Sequence, residues 1–84
     1  MRLDKFLKVS RILKRRSVAR DAAVEGNVDV NGKSAKPGHK LKVGDVVTVH
    51  FASGDLSFEV LVLAESVKKD QAAETYRIIS EAQS

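Results

Sequence analysis

The first twenty residues carry Arg2, Lys5, Lys8, Arg11, Lys14, Arg15, Arg16 and Arg20 against one acid, Asp4. Arginine suits a phosphate backbone because its planar guanidinium donates two parallel hydrogen bonds to phosphate oxygens and also stacks on bases. A single carboxylate cannot pair eight cations, so the segment reads as a surface for a polyanion. On a helix starting near residue 16, Arg16 and Arg20 stand one turn apart and share a face. Their mutual repulsion gives the free fold nothing, and a bound anion would relieve it. The competing reading is local pairing, of Arg16 with Asp21 or Glu25 and of Arg2 with Asp4. The eight cations are the candidate binding residues.

Catalytic constellations are harder to assemble. His39 lies in a Lys/Pro/Gly loop and His50 near the end of a strand, which is not the helical ligand spacing of a zinc site. Asp55 and Glu59 read as turn and strand surface. Gly32, Gly38, Gly44 and Gly54 read as turns, and no glycine-rich phosphate loop is present. No enzyme activity, cofactor or metal is expected.

Composition bounds the rest. The chain has 84 residues, no cysteine, 43% apolar residues and a formal net charge of +4. One small core fits that length, so residues 1–84 are expected to form a single domain. Without cysteine there is no disulfide, thiolate metal site or cysteine nucleophile. A small secreted domain without disulfides would be unusual, so a cytoplasmic protein is expected. No apolar run reaches the roughly 20 residues of a membrane span, and Met1-Arg2-Leu3-Asp4-Lys5 does not open a signal peptide. The charge is uneven: residues 1–42 hold 12 Lys/Arg against 4 Asp/Glu, and residues 43–84 hold 3 against 7.

These cations need elements to position them. Leu3, Phe6, Leu7 and Ser10 recur at helical spacing and predict a first helix over roughly residues 3–10, with Asp4 at the positive end of its dipole. The segment from Arg11 to Arg16 joins it to a second helix. Ser17 reads as that helix's N-cap, Val18, Ala19, Ala22 and Ala23 as its apolar stripe, and Gly26 as its left-handed stop. The period then changes to two. Val28 and Val30 flank Asp29, Asn31-Gly32 is a two-residue hairpin turn, and Lys33-Ser34-Ala35 returns. Val46 to Phe51 is a strong strand, Ser53-Gly54-Asp55 a turn, and Leu56 to Val62 a last strand. From Lys69, the residues Ala72, Ala73, Tyr76, Ile79 and Ala82 return to helical spacing. Phe51 and Phe58 fall on the buried side of the alternation, and Tyr76 reads as a packing residue. With so few aromatics, recognition is expected through shape and phosphate contacts rather than base stacking on a sheet. The order is two helices packed on a small antiparallel sheet with a C-terminal helix, an α+β fold.

Four stretches carry a resemblance. They are Arg2-Leu3-Asp4-Lys5-Phe6-Leu7, the basic run from Ser10-Arg11 to Arg16, Gly26-Asn27-Val28-Asp29-Val30-Asn31-Gly32, and Leu41-Lys42-Val43-Gly44-Asp45-Val46-Val47-Thr48-Val49. Together they resemble the S-four RNA-binding domain over roughly residues 1–50, leaving a last strand and a C-terminal helix for residues 51–84. The opening through Arg11, Lys14-Arg15-Arg16, and Val67-Lys68-Lys69-Asp70 with Tyr76-Arg77-Ile78-Ile79 are similar to the small RqcP family of bacterial ribosome quality control. The related heat-shock S-four proteins usually carry a longer basic C-terminal extension than is seen here, which favours the RqcP likeness.

The resemblance implies a function. Proteins of that family bind a large ribosomal subunit holding stalled peptidyl-tRNA, between an rRNA helix and the P-site tRNA. There they support alanine tailing by the RqcH factor. The partners implied are rRNA of the large subunit, P-site peptidyl-tRNA and RqcH, with no membrane and a monomeric chain. The family's motif puts the arginine matching Arg2 on the RNA-facing surface. Two other readings stay open at this point. One is a heat-shock-like S-four protein binding large subunits without a tailing role, and the other is a basic protein-interaction module.

Overall fold

A computed structural model describes residues 1–83, with side chains through Glu81; Ser84, the end of the expected domain span, lies outside the described residues. Helix α1 spans Leu3–Val9 and α2 spans Arg16–Val24. Five strands follow: β1 Val28–Val30, β2 Lys33–Ser34, β3 Val46–Phe51, β4 Gly54–Val60 and β5 Tyr76–Gln83, with a 3-10 helix at Lys69–Thr75 before β5. The strands make one antiparallel sheet in the order β2-β1-β3-β4-β5. This is the expected α+β arrangement of two helices on a small sheet. No helix among the described residues is long and apolar enough to cross a membrane.

The helices are short, so packing rather than propensity holds them. α1 buries Leu3, Phe6 and Leu7, and α2 buries Ala19 and Ala23. They face Val28, Val30, Val47, Val49, Phe58 and Val60 on one side of the sheet. Phe58 is the centre: its ring stacks on Phe6 at 6.1 Å between centroids and meets Tyr76 edge-on at 5.5 Å. Each such side chain contributes roughly 1.5–3 kcal/mol when fully buried.

Neither helix start is capped by a side chain. At α1 a loop does the work: the Leu3 and Asp4 amides donate to the carbonyls of His39 and Pro37, at 2.8 and 3.1 Å. The Leu41 amide donates to the Met1 carbonyl, so residues 37–41 are stitched to the N-terminus. α2 ends as the sequence implies. Gly26, at φ +81°, and Asn27 donate to the carbonyls of Ala23 and Ala22, which closes the last turn. Asn31 and Gly32 both take positive φ, the twist a two-residue hairpin requires.

Several expectations are corrected. Arg15, not Ser17, occupies the N-cap position, so Ser17 lies inside α2, and Val18 is 47% exposed rather than core. The β3–β4 turn sits at Ala52-Ser53, with Gly54 already paired to Phe51. β4 stops at Val60, leaving Leu61 and Val62 outside the strand, and Phe51 is 37% exposed. The expected C-terminal helix is reduced to the 3-10 turn, and Tyr76, Ile79 and Ala82 belong to β5. The reason is long-range. β4 would otherwise expose a bare edge, and Tyr76-Arg77-Ile78-Ile79 has the aromatic and β-branched character that pairs with one. Helical preference survives only in the alanine-containing stretch Lys69–Thr75, where Thr75 donates its hydroxyl to the Ala72 carbonyl.

The sheet face away from the helices is polar. There His50 sits between two carboxylates: Nε2 is 2.9 Å from Asp29 and Nδ1 is 2.8 Å from Asp55, tying β1, β3 and β4. The hydrogen bond to Asp29, then that to Asp55, raises the His50 pKa above its ordinary 6.5 against a smaller opposing desolvation. A raised folded-state pKa stabilises the fold fully below the unfolded value and is lost as pH rises through the folded one. We predict that wild type exceeds His50→Ala in melting temperature most below about pH 6. The gap should narrow as the medium becomes alkaline, and its ion-pair part should be under about 1 kcal/mol for so exposed a group. A gap that widens with pH in paired melting curves would contradict the bridge.

Candidate nucleic-acid interface

Asp4 is the hub of the basic segment. Its carboxylate is 3% exposed, although it is charged and lies in the first turn of a surface helix. One oxygen accepts the Lys5 amide at 2.8 Å. Arg2 donates Nε and Nη2 to the two oxygens at 3.2 and 3.3 Å, and Arg16 brings Nη2 to 3.5 Å. A buried carboxylate needs such partners, because leaving it unpaired costs several kcal/mol. Both arginines remain half exposed, with 52% and 50% of their side chains open to solvent. Asp4 thus fixes two guanidinium groups from separate elements while leaving donors free to turn outward.

Arg20, one turn beyond Arg16, joins them around a shallow hollow of about 380 Å³ shared with Ser17. Its Nε is 3.8 Å from Asp21, a loose surface pair. The weighed pairing of Arg2 with Asp4 is therefore present. Arg16, by contrast, pairs with neither Asp21 nor Glu25 but reaches back to α1.

Lys8, Arg11 and Lys14 form a second group. They line a separate hollow of about 500 Å³ closed by Glu65, Ser66, Val67 and Lys69. Lys5 is ion-paired with Glu65 across sixty residues of sequence, and that contact lowers the Glu65 pKa. Among the described residues Lys8, Arg11, Lys14 and Arg15 have no ion-pair partner. The expectation that the cations outnumber their acids holds for these four, while Asp4, Glu65 and Asp21 engage the others. Arg11 has φ +61°, a left-handed conformation that costs an arginine roughly 1–2 kcal/mol relative to the right-handed one.

The sequence reading missed Lys36 and His39. The stitched loop brings both beside Arg2 and Arg20. The available signal was the run Lys33, Lys36, Lys40 and Lys42, which contains no acid. His50, by contrast, is engaged on the sheet by Asp29 and Asp55 and takes no part in this surface.

Comparison with known proteins gives a consistent pattern. Residues 1–47 match the family described as the S4 domain. A Streptococcus pneumoniae protein named RQC P-site tRNA stabilizing factor is 52% identical over 96% of this chain and 92% of its own length. A Listeria monocytogenes protein of the same name is 48% identical over 96% and 88%. Among solved structures, trimeric heat shock protein 15 of Vibrio cholerae superposes with a TM-score of 0.88 at 28% identity, over 95% of this chain and 82% of that one.

Two substitutions test the geometry. Asp4→Asn keeps the side-chain size and removes the charge that holds Arg2 and Arg16. It should cost about 1.5–3 kcal/mol in denaturant unfolding, the worth of a charge-assisted hydrogen bond, and weaken retention on heparin. An unchanged unfolding midpoint would mean the hub carries no weight. Arg11→Gly relieves the left-handed strain at the expense of unfolded-state entropy, so stability should stay within about 0.5 kcal/mol or rise. Heparin retention should nevertheless fall. Loss of stability in that variant would assign Arg11 to the fold.

Proposed function

The chain belongs to the S4-domain family, alongside the RQC P-site tRNA stabilizing factors it matches at 48–52% identity, and from that premise we propose what it does on the ribosome. It binds the large subunit that carries a stalled peptidyl-tRNA. It contacts rRNA and the P-site tRNA together, and it supports alanine tailing of the nascent chain by the RqcH factor. The proposed RNA contacts are Arg2, Lys5, Lys8, Arg11, Lys14, Arg15, Arg16 and Arg20. The observation that carries this reading is the pair of half-exposed arginines held by a buried carboxylate. That pair is a preorganised phosphate site on the segment matched to the family. The first turn of α2 adds free backbone amides with no acidic side chain among them, which also favours an anion. Lys5 contributes less, because Glu65 already engages its ammonium.

The proposed mechanism is positional rather than catalytic. A ligand that binds one state of a complex better than another shifts the population by that difference. A basic module touching rRNA and tRNA at once favours the state in which the two are adjacent, and it leaves peptidyl transfer to the ribosome. Action as a monomer is the proposal that the two sheet edges bear on. β2 is only two residues long, and β5, which exposes Ile78 and Ile79, also carries Arg77 and Glu81 and a bulge opposite Ser57 and Phe58 that discourage edge pairing.

Reconstituted tailing on purified obstructed large subunits with RqcH tests the reading. Tails should be short or slow without the protein, lengthen saturably as it is added, and need roughly tenfold or more of the Arg16→Ala variant. Arg16→Ala should remain folded, because Asp4 keeps Arg2 and the Lys5 amide. Tailing at full rate and length without the protein would sink the proposal.

A further inference from the structure

One groove on the basic face differs in chemistry from the rest. It lies between the end of α2 and the loop stitched to the N-terminus, and encloses about 640 Å³. Its cations are Arg2, Arg20 and Lys36. Between them stand Val24, Pro37 and the ring of His39. Val24 is 69% exposed, the most open large apolar side chain described, and it follows Arg20 by one helical turn. His39 is exposed too. The groove has no carboxylate in its lining, unlike the hollow beside it that contains Asp4.

An exposed valine, a proline and an imidazole among three cations do not match a phosphate backbone alone. They match a ligand that is apolar and flat in one part and anionic in another. A nucleotide is such a ligand, and its base becomes available only when it is unpaired. Within the RNA-binding reading above, on which this step rests, we infer that the groove takes one unpaired nucleotide of the bound RNA. The base lies against Val24 and Pro37 and stacks on His39, while its phosphates meet Arg2, Arg20 and Lys36. Arg2 is well placed for this, because Asp4 holds its guanidinium beside Gly38, where a Cβ would stand 3.8 Å from Nη2. The small count of Phe, Trp and Tyr argues against base stacking on the sheet, but it does not include His39.

The test uses three hairpin RNAs titrated with the full chain by fluorescence anisotropy. One is fully paired, one has a single unpaired adenosine, and one has an abasic residue at that place with the same phosphates. The base-bearing RNA should bind roughly fivefold to tenfold more tightly than the abasic one, as expected from covering a few tens of Å² of apolar groove. In the double variant Val24→Ser with His39→Ala, at two exposed positions, that ratio should fall to about one. Circular dichroism melts check that the variant is folded. Equal affinity of wild type for base-bearing and abasic RNA, with binding still steeply salt-dependent, would overturn the groove assignment and leave the RNA reading standing. A ratio unchanged in the variant would also overturn it. Absence of salt-dependent binding to any of the three would overturn both.

Discussion

A carboxylate withdrawn from water is the constraint from which the basic face takes its form. Asp4 is accommodated in a nearly dry position because cations and an amide surround it. Those same partners are the first arginine of the chain and the first residue of α2. Satisfying one acid therefore sets the distance between two helices and aims two guanidinium groups. The loop at residues 37–41 is drawn into the same arrangement, since its carbonyls receive the α1 amides that no side chain caps. At Asp4 one carboxylate thus serves the fold and the placing of the cations together, and the ion pair organises what hydrophobic burial beneath it supports.

The sheet supplies that support and keeps its chemistry apart. Its inner side is aliphatic and aromatic, closing over Phe58, and its outer side carries Asp29, His50 and Asp55. Antiparallel strands permit this because alternate residues face opposite ways. Cations gathered on the helices thus have no carboxylates of the sheet beneath them.

Much of this was legible in the sequence wherever one short segment decides the structure. Asn31-Gly32 specifies a turn of the right hand, Gly26 ends a helix that no Cβ-bearing residue would end as readily, and the alternation from Val46 to Phe51 marks which side is buried. Other features depend on partners far along the chain. The helical spacing of Ala72, Tyr76 and Ile79 is real, but the exposed edge of β4 competes for the same residues and wins. Arg16 has acids nearby at Asp21 and Glu25, and still pairs with Asp4, because the fold brings that buried charge closer and leaves it in greater need. Lys5 and Glu65 are sixty residues apart and touch. The eight cations could be counted from the sequence, but not the division of six of them between two hollows, nor the arrival of Lys36 and His39.

The outward sheet face has a consequence for how the molecule travels. With carboxylates behind and guanidinium groups in front, the chain carries a permanent electric dipole across its thickness. In the field of a large polyanion such a body is rotated as it diffuses, so that the helices lead before any contact forms. The productive orientation is selected during approach rather than by trial after collision, and association is hastened most at low ionic strength, where that field extends furthest. The bridge between Asp29, His50 and Asp55 thereby gains a second meaning. Protonation of His50 cancels part of the trailing negative charge and so weakens the contribution of this face to the torque.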